Sequence, residues 1–93
     1  MSSREAVYED VKSVLMNTFS IGGDEIAPEK RLVDDLDLDS IDAIDLAVKL
    51  EERIGVAPKG QDLRALVTVE DVVQFILTKR AEHGAASVAN PPG

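Results

Sequence analysis

Apolar residues recur through residues 2–19 at Val7, Val11, Val14, Leu15 and Phe19, spaced 4, 3, 1 and 4, which puts one hydrophobic face on a helix. Ser2 and Glu5 have the spacing of a capping box at its start. The stretch "SIGGDEIAPEKR" breaks the period, and Gly22, Gly23 and Pro28 predict a long loop. Ile26, Leu32, Val33 and Leu36 are expected to pin that loop to the core. A second helix is predicted from about Ser40 to Ile54, with Gly55 as its left-handed terminator. "DLRAL" allows one short helical turn. Thr68 and Asp71 form a second capping-box candidate ahead of Val69, Val72, Val73, Ile76 and Leu77, whose 3, 1, 3, 1 spacing marks a final helix. Nothing alternates as a strand should. The pattern predicts an all-α protein, a small four-helix bundle of three long helices and one short one. The domain is expected over residues 1–83, with the small, Pro/Gly-rich residues 84–93 as a disordered C-terminal tail.

The second helix carries more apolar surface than a core contact uses. Leu46, Ala47, Leu50 and Ile54 gather on one side with Ala43, while Ile41, Ile44 and Val48 form a second group farther round. Together they span an arc of about 220°, against the ~100° stripe that a core-facing helix needs. Asp42, Asp45, Lys49 and Glu52 fill the rest of the surface. Either the flanking loop and short helix bury the whole arc, or one group is core and the other is an exposed apolar strip edged with acids, the form of a docking surface.

Composition narrows the chemistry. The 93 residues hold no cysteine, so disulfides, thiolate metal sites and thiol nucleophiles are absent. The single histidine, His83, lies near the small-residue end. A net charge of −8 disfavours nucleic acid and favours partners with basic patches. No apolar run approaches the ~18 residues of a membrane span, and no signal-peptide core is visible at the N-terminus. These features lead to the expectation of a cytoplasmic monomer.

The dense acids surround one hydroxyl. In "VDDLDLDSIDAIDL", Asp34, Asp35, Asp37, Asp39, Asp42 and Asp45 flank Ser40 with no basic residue among them. A catalytic serine needs a base and oxyanion donors, and neither is nearby. Adjacent carboxylates also oppose negative charge on the oxygen, so no catalytic residue is assigned. An EF-hand loop starting at Asp35 would place Asp37 and Asp39 correctly, but would put Ser40 where glycine belongs and Leu46 where a bidentate glutamate belongs. No dedicated metal site is expected. The plainest role left for Ser40 is a helix N-cap.

"DLDLDSIDAIDL" resembles the motif of the acyl carrier protein family, in which a D-S-L or D-S-I triplet opens the second helix of a four-helix bundle. The resemblance runs from about residue 5 to residue 80, through "TVEDVVQFI". It implies that Ser40 receives 4′-phosphopantetheine from coenzyme A through a separate phosphopantetheinyl transferase, and that the arm's thiol carries acyl groups as thioesters. The chain would then be no enzyme, but a substrate and partner of acyl-transfer, ketosynthase and other pathway enzymes with basic patches. Asp39, Asp42 and Asp45, with Ile41, Ile44 and Val48, would form the recognition face. A different class fits the same residues: an acidic helical interaction module in which Ser40 is only a cap.

The match has departures. Asp37 stands where the family's motif commonly has glycine, and Ile41 replaces the more usual leucine. "DLDS" fits an acyl carrier better than a peptidyl carrier, which usually has G-G before its serine. Residues 49–66 carry Lys49, Arg53, Lys59 and Arg64 against Glu51, Glu52 and Asp62, a net +1. Carriers of primary fatty-acid synthesis are typically strongly acidic there, so this segment points towards a specialised carrier for a secondary lipid, polyketide or similar product.

Overall fold

The computed structural model describes residues 3–89, with side chains described for residues 4–81. Four α-helices follow in order: α1 (Ser3–Phe19), α2 (Ser40–Ile54), α3 (Gly60–Ala65) and α4 (Val69–Ala89). A single 3-10 turn at Gly23–Glu25 interrupts the α1–α2 loop. Among the described residues there is no strand, only an isolated antiparallel bridge between Arg31 and Thr68. The all-α, four-helix expectation therefore holds.

The predicted faces meet in one core. Val7, Val11 and Leu15 of α1, Leu46 and Leu50 of α2, and Val69, Val72, Val73 and Ile76 of α4 are essentially solvent-free. The helix α1 packs against both α2 and α4. With Phe19, Phe75 and Tyr8 only partly buried around this cluster, aliphatic side chains supply most of the apolar burial that holds the bundle together.

Helix ends follow their local chemistry. Gly55 takes φ 88°, and its amide donates to the Leu50 and Glu51 carbonyls, closing α2 as predicted. At α4, Thr68 Oγ1 accepts from the Asp71 amide at 3.1 Å while Asp71 Oδ2 accepts from the Thr68 amide at 3.0 Å, the predicted capping box. Ser20, with φ 58°, follows the last residue of α1 in the left-handed region. The proposed Ser2 cap lies outside the described residues. The helix α4 runs on through Gly84 to Ala89, into the stretch expected as a tail. Three of its last five residues are alanine, the best helix former. Residues 90–93 lie outside the described residues.

The α1–α2 loop is held by backbone bonds to the α3–α4 junction. The Leu32 amide donates to the Val67 carbonyl at 2.8 Å, Val69 to Lys30 at 3.0 Å, and Glu70 to Pro28 at 2.9 Å. Ile26, Leu32 and Leu36 are buried as predicted, but Val33 is not: it is 65% exposed. Val33 lies in the turn of residues 32–36, closed by the Asp35 and Leu36 amides donating to the Arg31 carbonyl, and its side chain is on the outer side of that turn. Leu38, not anticipated, is buried instead.

A second tie joins α1 to α4. Both Arg4 Nε and Nη2 donate to the Glu70 carboxylate, and Gln74 Nε2 donates to Glu70 Oε2 at 2.7 Å. The bond from Arg4, and then that from Gln74, hold the Glu70 carboxyl below the usual carboxylate range. The unfolded chain therefore binds this proton at a higher pH than the folded one. The resulting stability is complete above the ordinary carboxylate range and is lost as pH falls through the lowered folded value. Between about pH 5 and about pH 3, Glu70→Gln should lose less of its urea stability than wild type. Parallel losses in the two proteins would remove Glu70 from the acid response.

Candidate functional site

The site forms where the loop turns into α2. Leu38 anchors the approach: its side chain is buried and its amide donates to the Leu32 carbonyl at 2.9 Å. Just before it, Asp37 adopts φ 60°. This left-handed backbone suits glycine, and aspartate is among the few other residues that tolerate it. The position where the related motif commonly has glycine is thus one where the chain must turn in that region.

Asp39, not Ser40, caps α2. Asp39 Oδ1 accepts from the Asp42 amide at 2.9 Å, and Asp42 Oδ2 accepts from the Asp39 amide at 3.2 Å. The Asp39 carbonyl accepts the first helical bond, from Ala43 at 2.9 Å. This counts against the alternative in which Ser40 is only the N-cap: the aspartate one residue earlier has the extended backbone and the oxygen that the cap requires. Ser40 is the first residue of the helix and is exposed. Its hydroxyl is left outside the capping bonds.

The apolar arc of α2 divides. Leu46, Ala47 and Leu50 are buried, whereas Ile41, Ile44 and Val48 are 70%, 56% and 45% exposed. The exposed strip therefore exists, and neither the loop nor α3 covers it. Asp39 and Asp45 are exposed beside it, and Asp42 is half-buried. Sequence, strip and acids place Asp39, Ile41, Asp42, Ile44, Asp45 and Val48 along one helix, starting next to Ser40.

A cleft of about 470 Å³ opens beside the hydroxyl. Ser40, Ala43, Ile44 and Leu46 of α2 form one wall, Leu63 and Arg64 of α3 another, and Leu32, Leu38, Leu66 and Val67 complete the lining. This feature was not anticipated, since it depends on how the α1–α2 loop, α3 and the α3–α4 junction come together. Among the described residues, no three acidic or histidine side chains gather to hold a metal ion. The acids nearest Ser40 face the backbone instead: Asp39 and Asp42 bond each other's amides, and Asp35 Oδ2 accepts from the Arg31 amide at 2.8 Å.

This geometry offers a hydroxyl for modification rather than a nucleophile with its own base. Residues 9–76 match the family of the phosphopantetheine attachment site. The chain is 35% identical to an acyl carrier protein of Thermotoga maritima over 79 residues, covering 85% of this chain and 98% of that protein. It belongs to the acyl carrier protein family. It is also 34% identical to the meromycolate extension acyl carrier protein of Mycolicibacterium aurum over 88 residues, covering 95% and 91% of the two chains. A carrier of the same name from Mycobacterium tuberculosis is 36% identical over 87 residues, covering 94% and 76%. The chain is accordingly a carrier of 4′-phosphopantetheine, and an exposed hydroxyl at a helix start beside an apolar cleft fits that group.

The caps separate the two roles that the D-S pair could play. Asp39→Ala should cost about 1 kcal/mol through loss of the cap. Ser40→Ala should stay within about 0.5 kcal/mol of wild type, as surface changes away from such features do. Urea midpoints measure both. The reverse order would return the cap to Ser40.

Proposed function

We propose that Ser40 is the residue that carries 4′-phosphopantetheine, and that the arm's thiol holds acyl groups as thioesters. The carrier would pass them among enzymes of fatty-acid, polyketide or related acyl biosynthesis. The observation that carries this reading is the exposed Ser40 hydroxyl at the first turn of α2, freed from capping by Asp39. The other hydroxyls of the matched region suit it less. Ser13 is half-buried and accepts from Asn17, Thr68 caps α4, and Thr18 is half-buried. Ser20 is exposed but follows the negative, C-terminal end of α1. A phosphodiester is better placed at the N-terminal end of a helix.

The protein acts here as a substrate, not as an enzyme. A phosphopantetheinyl transferase must remove the Ser40 proton, because among the described residues no basic side chain bonds to the hydroxyl. The oxygen then bonds to the phosphorus that bears the pantetheine arm, and the pyrophosphate link of coenzyme A breaks, releasing the adenosine bisphosphate. When bound, the arm supplies the sulfur that this cysteine-free chain lacks. The chain's own contribution is presentation of the hydroxyl, an apolar cleft next to it that can shelter an acyl chain, and a recognition face.

That face is Asp39, Asp42 and Asp45 with Ile41, Ile44 and Val48. Asp45 is its most available carboxylate, since Asp39 and Asp42 each have one oxygen engaged in the cap. Exposed ion pairs contribute ~0.2–1 kcal/mol each. A few of them with a modest apolar contact give complexes of roughly micromolar strength, which suits a cytoplasmic shuttle that must leave each partner. The mixed charge of residues 49–66 supports a carrier specialised for a secondary lipid, polyketide or similar product.

Incubation of the apo protein with coenzyme A, magnesium and a broad-specificity transferase should add one phosphopantetheine to the intact mass. Ser40→Ala should stay folded and unmodified. A folded wild-type protein that no transferase modifies would overturn the assignment. Asp45→Asn should lower the transferase's kcat/KM about two- to fivefold, the worth of one exposed pair. An unchanged value would remove Asp45 from the face.

A further inference from the structure

The cleft beside Ser40 has an apolar lining and a charged rim. Four charged residues line it: Arg31, Asp34, Asp39 and Arg64. Three of them are engaged within the chain. Arg31 Nη1 donates to Asp34 Oδ2 at 3.2 Å, and Asp39 Oδ1 accepts from the Asp42 amide. Arg64, exposed in the last turn of α3, makes no ion pair with any described residue. It is a cation facing the same cleft as the Ser40 hydroxyl, on the opposite wall.

Loading changes the charge at that hydroxyl. A phosphodiester on Ser40 is an anion next to Asp39 and Asp42, with Asp34, Asp35 and Asp37 earlier in the loop. The amides of the first turn of α2 offset part of this, but Asp39 already takes the Asp42 amide. A guanidinium keeps its charge at all accessible pH values and can pair a phosphate through two parallel N–H donors.

We propose that Arg64 is the counter-charge of the loaded serine, drawing the arm's phosphodiester across the mouth of the cleft so that the arm starts along the apolar lining rather than out into solvent. This rests on Ser40 being the attachment residue. Arg64 is a positioning residue in this account, silent in the apo protein and engaged only after loading. A purely structural arginine at the end of α3 would affect apo and loaded forms alike.

The test compares apo and loaded ¹⁵N-labelled protein by NMR, with loading verified by intact mass. In low salt, loading should shift the amides of residues 60–67 and the Arg64 Nε–H signal, besides those of the first turn of α2. Arg64→Gln, an exposed change whose thermal midpoint is checked alongside, should reduce the response of residues 60–67 about two- to fivefold. Arg64→Lys should retain most of it, and about 0.5 M salt should suppress it in wild type. The α2 response should persist throughout. Loading that leaves residues 60–67 unmoved, or a response undiminished in Arg64→Gln, overturns the proposal while leaving Ser40 as the attachment residue. Failure to load overturns both.

Discussion

Two hydrogen bonds between neighbouring acids, Asp39 to the Asp42 amide and Asp42 to the Asp39 amide, start α2 one residue earlier than a serine cap would. Everything proposed for the site depends on that offset. With the cap on Asp39, Ser40 falls on the first helical position and its hydroxyl is exposed. The dipole of α2 and the cleft then lie where a phosphodiester would be formed. Had Ser40 been the cap, its oxygen would have been occupied by an amide, and modification would have competed with helix formation.

The loop before the cap accounts for why the hydroxyl is presented in one place. Backbone bonds from Leu32 to Val67 and from Val69 to Lys30 tie the loop to the start of α4. Buried Leu32, Leu36 and Leu38 hold it against the core. The same arrangement brings α3 opposite Ser40 and leaves the cleft between them. The crowded aspartates around the serine contribute little to this frame beyond caps and turns, and their mutual repulsion opposes stability. Their remaining charge is what the proposed recognition face would use.

Much of this was legible in the sequence because it is local. The apolar spacing of α1 and α4, the Gly55 stop and the Thr68–Asp71 box each depend on residues within a turn or two of one another. The excess apolar arc on α2 was also visible, and Ile41, Ile44 and Val48 prove to be its exposed part. The sequence left Ser40 open as a cap for a specific reason. Both residues of an Asp-Ser pair are good caps, and the N3 partner is Asp42 rather than the Glu or Gln that usually signals a box. Val33 and Leu38 could not be sorted without the turn of residues 31–36 and the Leu38–Leu32 bond that follows it. The cleft, and the place of Arg64 on its wall, arise from segments distant in the chain and leave no periodic trace.

The central claim is that the group is attached at Ser40 and nowhere else, and fragment mass measures this directly. Cleavage after Arg31 and Lys49 yields residues 32–49, in which Ser40 is the only hydroxyl residue. After loading from coenzyme A, this fragment alone should gain one phosphopantetheine. A gain on any other fragment, with residues 32–49 unchanged, would contradict the account.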